Sequence, residues 1–329
     1  MYITKQRLLY GVISVVFLIL AVTPVSFAQD GEYINAMPHL RLGAGARSIG
    51  LGGAVTAIAD DATATVWNPA GLGSAADLSL NLSTQQISDQ GMLGQTKHFI
   101  ALTKALGTYG AIGIAATNFG VADYEVYSAS GDYEGKADYG ANAYSLSYGI
   151  GFGNYNVGLT GRMMMDSFGV ESDEDQSGFG GVDIGFMGHA LHIDVDEAQV
   201  PTFHYGIVAK HLGASYDGGV VPMIVDVGVA YNLYMGNVVT FSADIEQEFV
   251  NLDESAFSMR TGVEYSIVTN KSTEFSIRAG VRASRDVQDI FGGFGVNVAG
   301  LQVDYAIQDG MNAIHGVGIT HYLSLSYGY

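Results

Sequence analysis

Along the last nine residues the side chains alternate: Leu323, Leu325, Tyr327 and Tyr329 share one face, and Tyr322, Ser324, Ser326 and Gly328 share the other. A period of two is the mark of a β-strand. A strand that runs to a terminal aromatic is what a transmembrane β-barrel needs, because its last strand must pair with its first and leave no edge in lipid. The same alternation recurs upstream. Tyr155, Val157, Leu159, Gly161 and Met163 oppose Asn156, Gly158, Thr160 and Arg162. Val225, Val227, Val229, Tyr231 and Leu233 oppose Asp226, Gly228, Ala230 and Asn232. Phe241, Ala243 and Ile245 oppose Ser242, Asp244 and Glu246, and Leu301, Val303, Tyr305 and Ile307 oppose Gln302, Asp304, Ala306 and Gln308. An apolar face set against a face that carries charge suits lipid outside and water inside.

From Asp77 onward the pattern predicts fourteen strands, at roughly 77–86, 97–105, 108–118, 139–152, 154–168, 179–189, 202–213, 223–235, 237–249, 257–269, 273–285, 291–299, 301–308 and 315–329. The connections alternate in length. Tight turns are expected around Gly107, Gly153-Asn154, Met235-Gly236, Asn270-Lys271 and Ala299-Gly300, and longer polar loops at Gly120 to Asp138, Gly169 to Gly178 and Ser215 to Val221. Short periplasmic turns facing longer outer loops are a rule of such barrels. One connection breaks the parity: Leu191 to Pro201 is long where a short turn is due, so either the count slips there or a periplasmic excursion exists. A soluble β-sandwich would mix loop lengths at both ends, and no fixed repeat period suggests a solenoid.

Composition narrows the picture. The chain is 329 residues, 48% hydrophobic with Gly 45 and Tyr 20, but only 14% charged, and its mean hydropathy is +0.21. After the first thirty residues no run reaches the roughly 18 apolar residues of a membrane helix. Lys5 and Arg7, the apolar run Leu8 to Val22 and the small residues Ser26 and Ala28 around Phe27 read as a secretory signal peptide over 1–28, cut after Ala28. Removing it takes the formal charge from −19 to −21, because 1–28 holds two cations and no acid. A mature chain this acidic is a poor partner for nucleic acid. With Cys 0 there is no lipoprotein anchor, disulfide or cysteine metal site.

Residues 29–76 do not alternate. Gly43 to Gly53 is glycine-dense, Ala54 to Ala64 is small and helix-permissive, and Pro69 breaks any helix there. A compact segment of small residues ahead of the first strand is expected to fold into the lumen as a hatch or plug, leaving 77–329 as the barrel. Neither glycine cluster has the spacing of a phosphate loop.

Candidate chemistry is sparse. His189, His192, His204 and His211 fall close together in the sequence, but none has helical zinc-ligand spacing, and rim or lumenal polar residues are the preferred reading. His315 and Asp309 share a loop without a serine partner, so no catalytic triad is expected. Glu171 to Asp175 and Asp253-Glu254 lack the glycine and regular spacing of a calcium loop and read as solvated outer loops. Asp244, Glu246, Arg260, Glu264, Arg278, Arg282 and Asp304 all fall on the non-lipid phase of their strands. Unpaired charge in a narrow lumen is costly, so these are expected to pair with each other or with the hatch. Gly110, Gly113, Gly292, Gly293 and Gly295 could kink the wall or let aromatics pack. No metal, cofactor or catalytic residue is expected.

Leu42-Gly43-Ala44-Gly45-Ala46-Arg47-Ser48-Ile49-Gly50-Leu51-Gly52-Gly53-Ala54, then Ala59-Asp60-Asp61-Ala62 and Trp67-Asn68-Pro69-Ala70-Gly71-Leu72, resembles the opening of the PorV/PorQ family of outer-membrane proteins. Arg278 to Arg282, Leu301 to Ala306 and His321 to Ser326 resemble that family's last strands. The Asn68-Pro69-Ala70-Gly71-Leu72 box is also similar to the hatch of the wider FadL-like superfamily. The tail departs from the family by having no basic residue near its final aromatic. The resemblance implies a fourteen-stranded outer-membrane barrel of Gram-negative cells, with Asp60, Asp61, Asn68 and Pro69 in the hatch. It implies a non-enzymatic docking or shuttle role linked to type IX secretion, with secreted cargo or secretion-system subunits as partners. The superfamily resemblance implies the alternative, a channel for hydrophobic or small solutes. As a barrel the chain would meet outer-membrane lipid and the barrel-assembly machinery, with Leu325, Tyr327 and Tyr329 as the assembly signal.

Overall fold

The computed structural model describes residues 38–329 apart from 90–93, 129, 168–174, 196–197, 217–220, 250–254, 271, 285–287, 311–316 and 329. The signal-peptide reading over 1–28 lies outside the described residues, as does Tyr329. The strands are β1 Leu78–Asp89, β2 Gln95–Ala105, β3 Ala111–Tyr127, β4 Tyr133–Phe152, β5 Tyr155–Ser167, β6 Gln176–Val195 and β7 Ala198–Leu212. They continue as β8 Met223–Tyr234, β9 Val238–Phe249, β10 Ser255–Asn270, β11 Thr273–Ser284, β12 Gln288–Val298, β13 Leu301–Gly310 and β14 Val317–Gly328. A two-residue continuation of β7, Ser215–Tyr216, also pairs with β6.

Each strand pairs antiparallel with its sequence neighbour, and β1 pairs with β14, Ser79 opposite Gly328 and Leu82 opposite Leu325. The sheet is therefore a closed barrel of fourteen strands. The short connections match the sequence expectation. At the β12–β13 turn both Ala299 (φ 53) and Gly300 (φ 87) are left-handed, the geometry that suits a tight hairpin.

Four strands run further than alternation indicated. β3 and β4 continue through most of 120–138, past a bulge where Asp123 takes φ 55. β6 and β7 continue through 191–201, so the long connection is a real excursion: a β-hairpin that carries His192 opposite Pro201 and Val195 opposite Ala198. Leu191 there has φ 53, with the register unshifted on either side, so the phase change falls at Asp123 on β3. A bulge shifts the side-chain phase by one, which hides a strand from a period-two reading.

The outward faces are largely apolar and exposed. Leu146 is 65% exposed and Ile277 61%, with Ile100, Ile114 and Leu323 close behind. Tyr109, Phe152, Tyr155 and Tyr265 cluster at the short-turn end, as an interfacial girdle does. No described helix is long and apolar enough to cross a membrane; the strands themselves form the apolar belt. A closed, lipid-facing barrel satisfies its backbone internally and so belongs in a membrane.

The buried core lies on the inner side of the wall, and much of it comes from residues 44–72. Leu51, Ala54, Thr56, Ala62, Asn68 and Leu72 are at most 1% exposed. Only two short helices form there, α1 Ala46–Gly50 and α2 Ala64–Trp67, with 3-10 turns at Pro38–Leu42 and Pro69–Ser74. The helix-permissive stretch 54–64 is mostly tight turns instead, closed by bonds such as Ile58 N–H to Val55 O at 2.9 Å. Its backbone is claimed by the wall: the Thr56 N–H donates to Asp244 Oδ2 at 2.9 Å. An N–H spent on the wall is lost to a helical ladder.

Candidate functional site

The inward phase of β7 to β13 lines the lumen with charge, and neighbouring strands bring opposite charges together. Arg260 on β10 stands opposite Asp244 on β9. Its guanidinium is bonded to Asp226, lies 3.1 Å from Glu246 and 4.0 Å from Asp244. Lys210 reaches the other oxygen of Asp226 at 2.8 Å. Glu264 faces Arg278, which bonds Glu264 at 2.5 Å and Asp304 at 2.6 Å. Arg282 pairs with Asp289 across β11–β12. All seven charged residues singled out from the sequence therefore sit in ion pairs within one connected wall. Asp226, Lys210, Asp289 and Glu248 join them. The polar faces of β7 and β8 already held Lys210 and Asp226, so that signal was present and unread. Arg162 and Asp183 form a separate buried pair at 2.8 Å on β5–β6.

The N-terminal segment is tied into this wall. Arg47 on α1 spans Asp60 at 2.9 Å and Glu264 at 3.3 Å. The Glu264 carboxylate raises the Arg47 guanidinium well above its ordinary pKa against the cost of burial, with Asp60 and Asp61 adding. Arg41 pairs with Glu248. The Ala46 N–H donates to Ser324 Oγ at 3.2 Å and the Ala62 N–H to Ser79 Oγ at 3.1 Å. Lys97 Nζ donates to the Gly43 carbonyl. Trp67, the one tryptophan, donates its indole N–H to Ala44 O at 2.8 Å, and the Lys210 ammonium lies 5.6 Å from its ring centroid.

Of the hatch-motif residues, Asn68 is the most constrained. Its amide donates to Thr56 O at 2.8 Å and to Phe186 O of β6 at 3.3 Å, and its Oδ1 accepts the Ala70 N–H at 3.1 Å. Pro69 is buried and opens the following 3-10 turn, where a missing N–H costs nothing. Asp60 is the outer partner of Arg47. Asp61 accepts the Thr63 N–H at 2.7 Å and its hydroxyl. Burial raises the Asp61 carboxyl pKa, reinforced by Asp60 and opposed by Arg47 and the Thr63 bonds.

The wall meets this segment on glycine. A Cβ on Gly158 of β5 would collide with the Pro69 carbonyl and Ala70 N, and one on Gly280 of β11 with Gly52 N. Three of the five glycines considered as possible wall kinks do other work. Gly113 and Gly293 back onto the N-terminal segment, and Gly295 leaves room for the Arg278–Asp304 pair. The ladders through Gly113, Gly292, Gly293 and Gly295 run without a register shift.

Above the segment, on the long-loop side, lies a cavity of about 380 Å³. Ile49 and Trp67 form its floor, Phe291 and Tyr322 its apolar wall, and Arg41, Arg260 and Arg282 with Glu246 and Glu248 its polar wall. Arg282 stacks over the Phe291 ring at 5.7 Å.

The histidines divide. His189, His192 and His204 gather at the short-turn end, with ring centroids 5.4 and 6.3 Å from His189, and Asn232 bonds His204 at 3.1 Å. His211 is buried elsewhere, its Nδ1 2.9 Å from Pro222 O. Among the described residues no group of three or more His, Asp or Glu is placed to hold a metal ion. His315, Glu171 to Glu174 and Asp253-Glu254 lie outside the described residues. Leu325 and Tyr327 of the tail lie in β14, opposite Leu82 and Leu80 of β1.

No protein-family model matches the chain, and neither does any curated protein sequence. Solved structures do. The toluene transporter TbuX of Ralstonia pickettii superposes with a TM-score of 0.58 at 13% identity, over 87% of this chain and 98% of that one. The toluene transporter TodX of P. putida gives 0.56 at 12%, over 87% and 99%. A FadL homologue of Pseudomonas aeruginosa gives 0.50 at 9%, over 84% and 96%. At such identities the likeness is one of fold. It agrees with the superfamily resemblance seen at the Asn68 box and leaves the PorV/PorQ one an expectation. The chain is a closed fourteen-stranded outer-membrane β-barrel with a FadL-like fold.

Proposed function

We propose that this chain is a non-enzymatic outer-membrane channel for small apolar or aromatic solutes, with the N-terminal segment as its hatch. The cavity above that segment carries the reading. Its volume falls in the range of small-molecule sites, and it combines a continuous apolar wall with a few fixed polar groups. A flat ring held between Phe291, Tyr322 and Trp67 would leave the charges paired. Support comes also from the fold shared with TbuX and TodX, both described as toluene transporters.

Passage toward the short-turn end requires the segment to shift, since Leu51, Ala54 and Leu72 are buried against the wall. The chain has no cysteine, so Ala62→Cys with Ser79→Cys places a single disulfide between hatch and β1. Toluene uptake into proteoliposomes should be fast with the reduced protein and should fall to the protein-free rate on oxidation. Equal uptake in both states would remove the hatch from the mechanism. Uptake no faster than with empty liposomes would overturn the channel reading. The docking and secretion reading rests on the sequence resemblance at the two ends of the chain. Recovery of a secreted protein with the solubilised barrel would favour it.

A further inference from the structure

The lipid-facing belt is not uniform. Over β5 the outward positions Tyr155, Val157, Leu159, Met163 and Met165 are apolar and at least 39% exposed. Over β1 and β3 the apolar run stops after three positions, and on β2 after two, Leu102 and Ile100 beyond Lys104; polar side chains follow. Gln86, His98 and Asn118 point outward on β1, β2 and β3, and Asn142 follows on β4. The register puts His98 opposite Asn118, and Asn118 opposite Asn142, so one polar row crosses the strands. Asn118 Nδ2 donates to Asn142 Oδ1 at 2.9 Å, whereas no described residue bonds the His98 ring. His98 stands seven residues from Ala105, the last of β2 at the short-turn end. A spanning strand takes about 9–11 residues, so the row starts inside the hydrocarbon region and not above it.

Beneath the row lies an outward groove of about 550 Å³, continuous with the apolar belt and lined by Leu82, Ile100, Tyr144, Val303, Leu323 and Leu325. A polar row at membrane depth is costly unless it is hydrogen-bonded. The long-loop end faces outward, so the row lies at the outer-leaflet side of the groove. It offers amides and an imidazole, with no Lys or Arg among its residues.

We propose that this face is a binding site for one outer-leaflet glycolipid. An acyl chain fills the groove, and the carbonyl and hydroxyl groups of the sugar-linked head bond to His98, Asn118 and Asn142. The occupant is a lipid because the groove is part of the lipid interface. It is a saccharide-headed lipid because the row supplies neutral hydrogen-bonding groups and no cation for a bare phosphate.

The test is native mass spectrometry of the full chain, delipidated in detergent and offered lipid A stripped of its two phosphates, or phosphatidylethanolamine, at equal concentration. The wild type should retain one lipid A per barrel. The Asn118→Leu/Asn142→Leu double variant should retain about tenfold less, the effect of losing one to two net hydrogen bonds. An unchanged melting temperature of the lipid-free variant would separate lost binding from lost folding. A His98→Phe variant, which keeps an aromatic in lipid, gives the same comparison should the double variant fail to fold. Equal retention by wild type and variants, equal retention of phosphatidylethanolamine, or a two-chain mass without lipid would each overturn the proposal.

Discussion

The two flanks of the lumen hold the same N-terminal segment by different physics. On the β7–β13 side ion pairs are added to close packing: Arg47 bonds Glu264 and Arg41 pairs with Glu248, while Gly262 and Gly280 admit the backbone of Leu51 and Gly52. On the β3–β6 side the turn Pro69–Ser74 lies on backbone, with Gly149 and Gly158 removing the side chains that would keep it away. The ion pairs of the first flank add directional ties to that packing. The glycine flank is close-packed, and a packed interface tolerates little change in volume.

Four measurements would break or sharpen this contrast. Arg260→Met leaves Asp226, Asp244 and Glu246 without their shared cation. It should cost ~3–5 kcal/mol in denaturant unfolding from detergent micelles; a loss below about 1 kcal/mol would mean that water already screens that flank. Gly158→Ala drives a methyl into the Pro69 carbonyl and should cost ~1–3 kcal/mol, with raised single-channel conductance as the turn is pushed off the wall. Asn68→Ala removes three hydrogen bonds at the junction of the flanks and should cost ~1–2 kcal/mol by the same unfolding assay. The smallest effect concerns pH. The folded Asp61 carboxyl holds its proton more tightly than the unfolded one, so its contribution to stability is present at low pH and is lost as pH rises through the raised folded pKa. Asp61→Asn should flatten that part of the stability–pH profile, and an unchanged profile would place Asp61 in free water.

Much of the barrel was legible because lipid and water impose a strict two-residue period. Val225 to Leu233 and Leu301 to Ile307 declare their faces without ambiguity. Legibility failed where the period breaks. Asp123 takes positive φ where the β3–β4 ladder shifts register, the phase resets, and the strands beyond it vanished from the pattern. The lumenal charges could be placed on the inner face from phase alone, but their pairing could not, because partners such as Glu264 and Arg47 are 217 residues apart. Nor could phase reveal that wall glycines serve the segment in front of them. That requires knowing which backbone approaches Gly158, and nothing in the strand's own sequence says so.

The pairing of β1 with β14 also fixes an order of events. Asn81 bonds Ser326 across 245 residues, and Ala46 bonds Ser324 across 278. Contacts of such high order close late, because the loop entropy must be overcome before any bond repays it. The first strand therefore waits with an open edge until the last is made. The N-terminal segment, the earliest part of the described chain, finds its seat against β11 to β14 only when the final strands exist. Whatever enters the lumen as a guest in the mature barrel, this segment is enclosed during closure and not threaded in afterwards.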